Sequence, residues 1–316
     1  MTDNQPARYQ IPTGVGLTAV GVAAARAAES RRDDALFDDP FAADFVAAAA
    51  DALSVSAGQG PSADQGPSAE QDAGLWAAFF AYAPIRTRFF DDYFRAACAQ
   101  GCHQVVIPAA GLDTRAFRLD WPTGVNLFEL DTAEVLAFKD QVLAGRGATP
   151  ACRLVSVSVD LRQDWPAALT RAGFHPGEPT AWLVEGLLLY LDQDEREHLF
   201  GGIGRLSAPG SWLAIEYVND DLYQLMIESL SHSSSGNDFL TMLRQSVGQE
   251  YPTSWLERNG WQVHDYSAHE RAQSYGRSLP YATGASAQPT DGGLVIARLR
   301  SAAASGWDSD KPALIS

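Results

Sequence analysis

QVVIPAAGLDTRAFRLDWPTGVNLFELD, residues 104–131, is the stretch on which the fold turns. It opens with a short β-branched run at 104–108 and passes into small residues at 109–111. It closes with a second run at 125–130 that ends on Asp131. β-Branched and aromatic residues favour strands, and a small-residue turn after the first strand lets the backbone bend sharply and approach a ligand. Similar runs recur downstream at 153–159, 181–184, 211–218, 261–266 and 294–299. Helical stretches at 133–145, 164–173, 192–207 and 252–259 lie between most of them. Strand and helix in steady alternation predict right-handed crossovers and a mostly parallel, doubly wound α/β sheet covered on both faces.

Upstream the pattern is helical. Residues 15–29 are small, apolar helix formers, and DDPFAADFV at 38–46 reads as a capped helix with Pro40 in its first turn. From Pro84 to Gln100 a further helix is expected, with Ile85, Phe89, Phe90, Phe94 and Cys98 on one face. Residues 54–74 contain a direct duplication, GPSADQ then GPSAEQ, too poor in apolar residues to offset its ordering entropy. A mobile flap and an expanded surface loop are both open there. The expected organisation is a helical cap over 1–83, a Rossmann-like domain over 84–300 with a helical insertion near 219–250, and a tail at 301–316.

Composition narrows the function classes. The 316 residues carry 39 acidic against 23 basic side chains, a net charge of −16. A field of that sign repels phosphate backbones and anionic lipid, so nucleic acid and membrane surfaces are poor partners. Three cysteines, Cys98, Cys102 and Cys152, suit neither a disulfide framework nor a paired metal spacing. The amino terminus lacks a charged and then apolar leader, and no apolar stretch approaches the ~20 residues of a membrane helix. A cytoplasmic α/β protein, monomer or homodimer, is expected.

An open parallel sheet binds ligands beyond the carboxyl ends of its strands, where the strand order reverses. In PAAGLDTR, residues 108–115, Gly111 is the only glycine of a would-be GxGxxG and Thr114 takes the third position. Ala109, Ala110 and Gly111 therefore suit a ligand needing close backbone approach better than a pyrophosphate on a helix start. Asp131 stands twenty residues beyond Gly111, placed to accept both hydrogen bonds of a ribose diol. Glu129 points to the same side and is its rival, and a solvated strand-end acid is the plainer alternative. After the third strand, Asp160 and the Leu161 N–H form a pair that could read adenine. Arg162 is expected in surface pairs worth little. In VEGLLLYL, residues 184–191, a glutamate within so apolar a run is expensive unless partnered. Ligand contact by Glu185 and a paired core carboxylate are both open.

Together PAAGLDTRAFRLDWP, FELDTAEVLAFK, VDLRQDWPAAL and AWLVEGLLLYL, in this order and spacing, resemble the leucine carboxyl methyltransferase family, in its branch of bacterial S-adenosylmethionine-dependent O-methyltransferases. APIRTRFFDDYF, GVAAARAAES and DDPFAADFV extend the resemblance over nearly the whole chain. It implies a class I methyltransferase sheet of order 3-2-1-4-5-7-6 with the last strand antiparallel, and S-adenosylmethionine as methyl donor. It further implies that Arg86 meets the methionine carboxylate, a match of guanidinium to carboxylate in fixed geometry. Ala110 and Gly111 would lie under the methionine part, Asp131 would hold the ribose, Asp160 and Leu161 the adenine, and Glu185 the amino group. Asp113 and Arg115 would organise the loop, and Arg88 would pair with Asp91 or Asp92. Tyr190 would reach the acceptor or simply pack. Two departures stand out: Ala109 replaces a glycine common in the family, and the duplication falls in the variable lid.

Methyl transfer from a sulfonium is an in-line displacement needing alignment and exclusion of water rather than a metal. A carboxylate acceptor is ionised at pH 7 and requires no general base, whereas a phenol or alcohol does. No histidine is expected to follow a strand end: His103 precedes the first strand, His175 lies in a loop and His264 sits within a late strand. The expected enzyme therefore methylates a carboxylate, or a hydroxyl, of a small and largely apolar metabolite. Trp76, Phe79, Phe80 and Tyr82 could line its pocket. The alternatives are a nicotinamide-dependent oxidoreductase and a non-catalytic cofactor-binding sensor.

Overall fold

The computed structural model describes residues 15–56, 69–218, 244–279 and 293–300, together with residues 227 and 241. The chain begins with α1 (Val15–Glu29), α2 (Ala42–Ser56) and α3 (Ala69–Ala99). Then come β1 (Gln104–Pro108), α4 (Arg115–Arg118), β2 (Asn126–Asp131), α5 (Ala133–Gly145), β3 (Arg153–Ser158), α6 (Trp165–Arg171) and β4 (Thr180–Val184). A single 3₁₀ turn, Leu188–Tyr190, leads to α7 (Gln193–Leu206) and β5 (Trp212–Tyr217). The last elements are α8 (Pro252–Arg258), β6 (Trp261–Ser267), α9 (Ala268–Ser274) and β7 (Gly293–Leu299). Local chemistry marks several starts. Asp192 and Glu195 form a reciprocal capping box on α7, and Asp164 accepts from Ala167 N ahead of Pro166 on α6.

The seven strands order as β3-β2-β1-β4-β5-β7-β6. β1 through β5 pair in parallel, and β7 runs antiparallel between β5 and β6. This is the class I methyltransferase sheet that the resemblance implied. β1 and β4 are neighbours on which the chain reverses its direction of growth, so the crevice above them is where a ligand fits. Alternation along the strands divides the core between two faces. Val105 and Ile107 pack on Phe89, Phe90, Tyr93 and Phe94 of α3, while Val106, Phe128 and Trp182 pack on Trp165, Phe174, Phe200 and Ile203. A third cluster joins α1 and α2 to the sheet domain through Ala23, Phe45, Leu112 and Phe138. At Gly202 of α7 a Cβ would lie 2.2 Å from Cζ2 of Trp165, so that indole can pack only against a residue with no side chain.

The largest departure from the sequence reading is α3. It runs 31 residues with Pro84 in its interior, starting fifteen residues before the expected point. The end of the duplication, Ala69 to Gln71, belongs to it, because Ala, Glu and Gln are good helix formers whatever their neighbours. The helix therefore crosses the boundary expected at 83/84. The rest of the duplication, and most of the expected 219–250 insertion, lie outside the described residues. α9 was not anticipated. Its start is set by Ser267, whose hydroxyl accepts from Glu270 N. Among the described residues, no helix is long and apolar enough to cross a membrane.

Candidate functional site at the carboxyl edge of the sheet

The turn after β1 is built on two left-handed residues, Ala109 and Gly111, each with φ of 52°. Gly111 N donates to Asp131 Oδ2 at 2.7 Å, and Thr132 N donates to Oδ1 at 2.7 Å. Each carboxylate oxygen is thus held by a backbone N–H, which clamps the end of β2 to the turn after β1. A carboxylate has about four lone-pair positions, so Asp131 keeps capacity for a diol. Burial raises its pKa, and the two N–H groups oppose that. A Cβ at Gly111 would lie 3.5 Å from Ala19 Cβ, so α1 roofs this turn. Ala109 is a strained choice, because a left-handed conformation costs an L-residue with a Cβ roughly 1–2 kcal/mol. Ala109→Gly is expected to raise stability by about 0.5–1 kcal/mol once the extra unfolded-state entropy of glycine is subtracted. Urea denaturation checks this, and a destabilised variant would show the turn to be relaxed with alanine.

Beyond β4 the sequence-expected residues meet in one charge network. Arg86 Nε lies 2.8 Å from Glu185 Oε1, and Arg86 Nη1 reaches both oxygens of Glu216 at 2.9 and 2.7 Å. Glu185 Oε2 accepts from Arg115 Nη1 at 2.8 Å, so it bridges two arginines. Arg115 also contacts Asp113 and donates through Nε to Asp91 at 2.8 Å. Arg118 completes Asp91 at 2.6 Å, and through the Thr114 hydroxyl the network reaches Asp39, which pairs with Arg26 of α1 at 2.9 Å. Four guanidiniums face five carboxylates there, and every one of these side chains is at least four-fifths buried. Burial opposes ionisation of Asp113, yet Arg115 and its cationic neighbours hold that carboxyl down at about 2. The loop-organising role expected of Asp113 and Arg115 is what the geometry shows, extended by Arg115's grip on Glu185. Arg88 takes Asp92 at 2.9 Å, whereas Asp91 turns inward.

The remaining sequence candidates fall nearby with different partners. Asp131 lies opposite Ser158 in the β2–β3 ladder and Val159 N donates to Asp131 O, which brings Asp160 and half-buried Leu161 to the same edge. Asp160 itself pairs with the exposed Arg162 at 2.5 Å. Tyr190 donates to the Thr18 hydroxyl of α1 at 2.9 Å, so the turn after β4 is tied to the roof. Of the aromatic set, Phe80 is exposed and Tyr82 sits with its ring 5.9 Å from the Arg86 guanidinium. The Trp76 side chain is outside those described. Glu129, the rival of Asp131, is buried and meets Lys139 Nζ at 2.6 Å. It serves the interior.

Glu129 carries a consequence for pH. Burial lifts its carboxyl from 4.5 to about 7 despite Lys139, and its Oε1 finds no partner among the described residues. A carboxyl whose pKa is higher folded than unfolded binds its proton more tightly in the fold, so its contribution to stability is lost as pH rises from about 4.5 through 7. The wild type should therefore lose stability relative to Glu129→Gln across that window. Parallel urea-stability profiles from pH 4.5 to 8 would refute it.

Sequence reasoning missed Glu216 as a neighbour of the crevice. The signal for Glu216 was present: WLAIEYV places an acid in a buried strand, the same anomaly that singled out Glu185. Tyr82 was expected only as apolar pocket lining, and the structure sets its ring beside the Arg86 guanidinium.

Comparison with known proteins agrees with this geometry. The family model for leucine carboxyl methyltransferase matches residues 19–204. A Frankia alni protein, named provisionally an S-adenosyl-L-methionine-dependent methyltransferase, is 46% identical over 260 residues, covering 81% of this chain and 86% of its own. A Saccharopolyspora erythraea protein with the same provisional name is 43% identical over 274 residues, covering 86% and 92%.

Proposed function

Since the chain belongs to the leucine carboxyl methyltransferase family and is an S-adenosylmethionine-dependent methyltransferase, we propose that it esterifies a carboxylate of a small, largely apolar metabolite. The observation that carries the reading of the cofactor site is the adjacency of Arg86 and Glu185, one cation and one anion 2.8 Å apart above the switch point. An amino-acid tail presents the complementary pair. The sign of the charge also fits: the network and Asp131 together hold two carboxylates in excess, and the ligand's sulfonium, ammonium and carboxylate sum to a positive charge.

When bound, S-adenosylmethionine supplies an electrophilic methyl group. Asp131 would accept from its ribose, the turn of Ala109, Ala110 and Gly111 would let it approach the backbone, and Asp160 with the Leu161 N–H would read its adenine. Arg86 would take the methionine carboxylate and Glu185 the ammonium. α1 covers the turn and excludes water, which leaves alignment as the main source of rate. Tyr190 would position the acceptor by turning its single O–H from Thr18 to the acceptor oxygen. Burial raises the Tyr190 phenol, so it is a poor base at neutral pH. His103 and His175 lie at the opposite edge, where His175 N bonds to Gln104 at the start of β1. His198, near the carboxyl edge, is tied to Gln163 O at 3.0 Å. A pre-ionised acceptor oxygen makes no demand on any of them. The nicotinamide reading drops away with the family.

The test is incubation with methyl-labelled cofactor and a panel of apolar carboxylic acids, phenols and alcohols. Methyl esters release their label as volatile methanol in mild base, and methyl ethers do not. Base-stable product alone would move the acceptor to a hydroxyl.

A further inference from the structure

Glu216 is the second carboxylate on Arg86, and its surroundings are built rather than incidental. It is 8% exposed at the end of β5, and Gly186 N donates to its Oε2 at 2.8 Å. Gly186 adopts φ of 63°, which aims that N–H back at β5 immediately after Glu185. One carboxylate therefore grips the guanidinium of α3 and the backbone of the turn that carries Glu185. Tyr82 flanks the same guanidinium.

We propose that Glu216 is a positioning residue for the cofactor: by holding Arg86 and the Gly186 backbone together, it sets the spacing at which Arg86 and Glu185 read the two charges of an amino-acid tail. This rests on the assignment of that tail to Arg86 and Glu185. A lone arginine on a helix would swing among rotamers. Two carboxylates confine it through Nε and Nη1, and a guanidinium has five N–H donors, so capacity is left for a ligand carboxylate. The competing possibility is that Glu216 saturates Arg86 and opposes an anionic ligand group. The two make opposite predictions.

Calorimetric titration of the full chain with S-adenosylhomocysteine and with 5′-methylthioadenosine separates them, because the second ligand keeps the nucleoside and the sulfur but lacks the amino-acid tail. Glu216→Gln keeps an acceptor for Gly186 N and loses the charge. It is expected to weaken S-adenosylhomocysteine about tenfold, the difference between a charge-assisted and a neutral hydrogen bond, with methylthioadenosine unchanged. Glu216→Asp keeps the charge but shortens the reach by one methylene, and should show the same selective loss; it decides the matter if the glutamine variant does not fold. Equal weakening of both ligands, no change in either, or tighter S-adenosylhomocysteine binding would each overturn the proposal. Arg86→Met tests the underlying assignment separately. If it leaves the ratio of the two affinities unchanged, the tail lies elsewhere. If it alters the ratio and the Glu216 variants do not, only the positioning role fails.

Discussion

Asp91→Ala is expected to cost about 3–5 kcal/mol of folding free energy, the range for removing one partner of a buried ion pair. Asp91 is fully buried on α3. Its Oδ1 accepts from Arg115 Nε and Arg118 Nη2, each at 2.8 Å, and its Oδ2 accepts from Arg118 Nη1 at 2.6 Å. Arg115 would keep Asp113 and Glu185, but Arg118 would lose its carboxylate while its side chain stays 4% exposed. The penalty is therefore chiefly the desolvation of an unpaired guanidinium. Denaturant unfolding at constant m-value measures it, and Asp91→Asn should fall between wild type and alanine because it preserves shape. A loss below about 1 kcal/mol, the ordinary value of an exposed pair, would mean that water reaches Arg118.

Asp131→Ala should weaken cofactor binding by about 1–3 kcal/mol, roughly 5- to 150-fold, with a smaller effect on stability. The loss has two parts. The ribose hydroxyls would be left without an acceptor, and Gly111 N would lose the oxygen that holds the β1 turn in place. Calorimetry with S-adenosylhomocysteine is the measurement. Unchanged affinity would remove Asp131 from the site without promoting Glu129, since that carboxylate is buried against Lys139.

The two aspartates show how far sequence reading reached. Asp131 was singled out because one feature carried it, an acid at the end of an apolar run at a telling distance from a small-residue turn, and the structure bonds it to the backbone of that turn. Asp91 was read as a partner for Arg88 from helical spacing, in competition with Asp92. Spacing places a side chain on a helix face but does not say what packs against that face. Here α4 brings Arg115 and Arg118 onto it, and burial makes Asp91 a structural keystone of the charge network. Glu129 was undecided for a related reason. Strand alternation put it on the same side as Asp131, and only the packing of α5 showed Lys139 waiting for it.

The alternation of strand and helix, the mostly parallel doubly wound sheet that follows from it, and the charge excess were all legible in the linear sequence, because they follow from periodicity, from the limited ways in which parallel strands can connect and from composition; the exact strand order came from the resemblance to a known family. Tertiary structure alone decided which ionisable groups pair. Arg86 draws Glu216 from 130 residues away, Arg26 draws Asp39 and Leu112 O, and Thr18 meets Tyr190 across 172 residues. Partner choice among buried charges depends on which side chains lose water together, and that is a property of packing with no local signature along the chain.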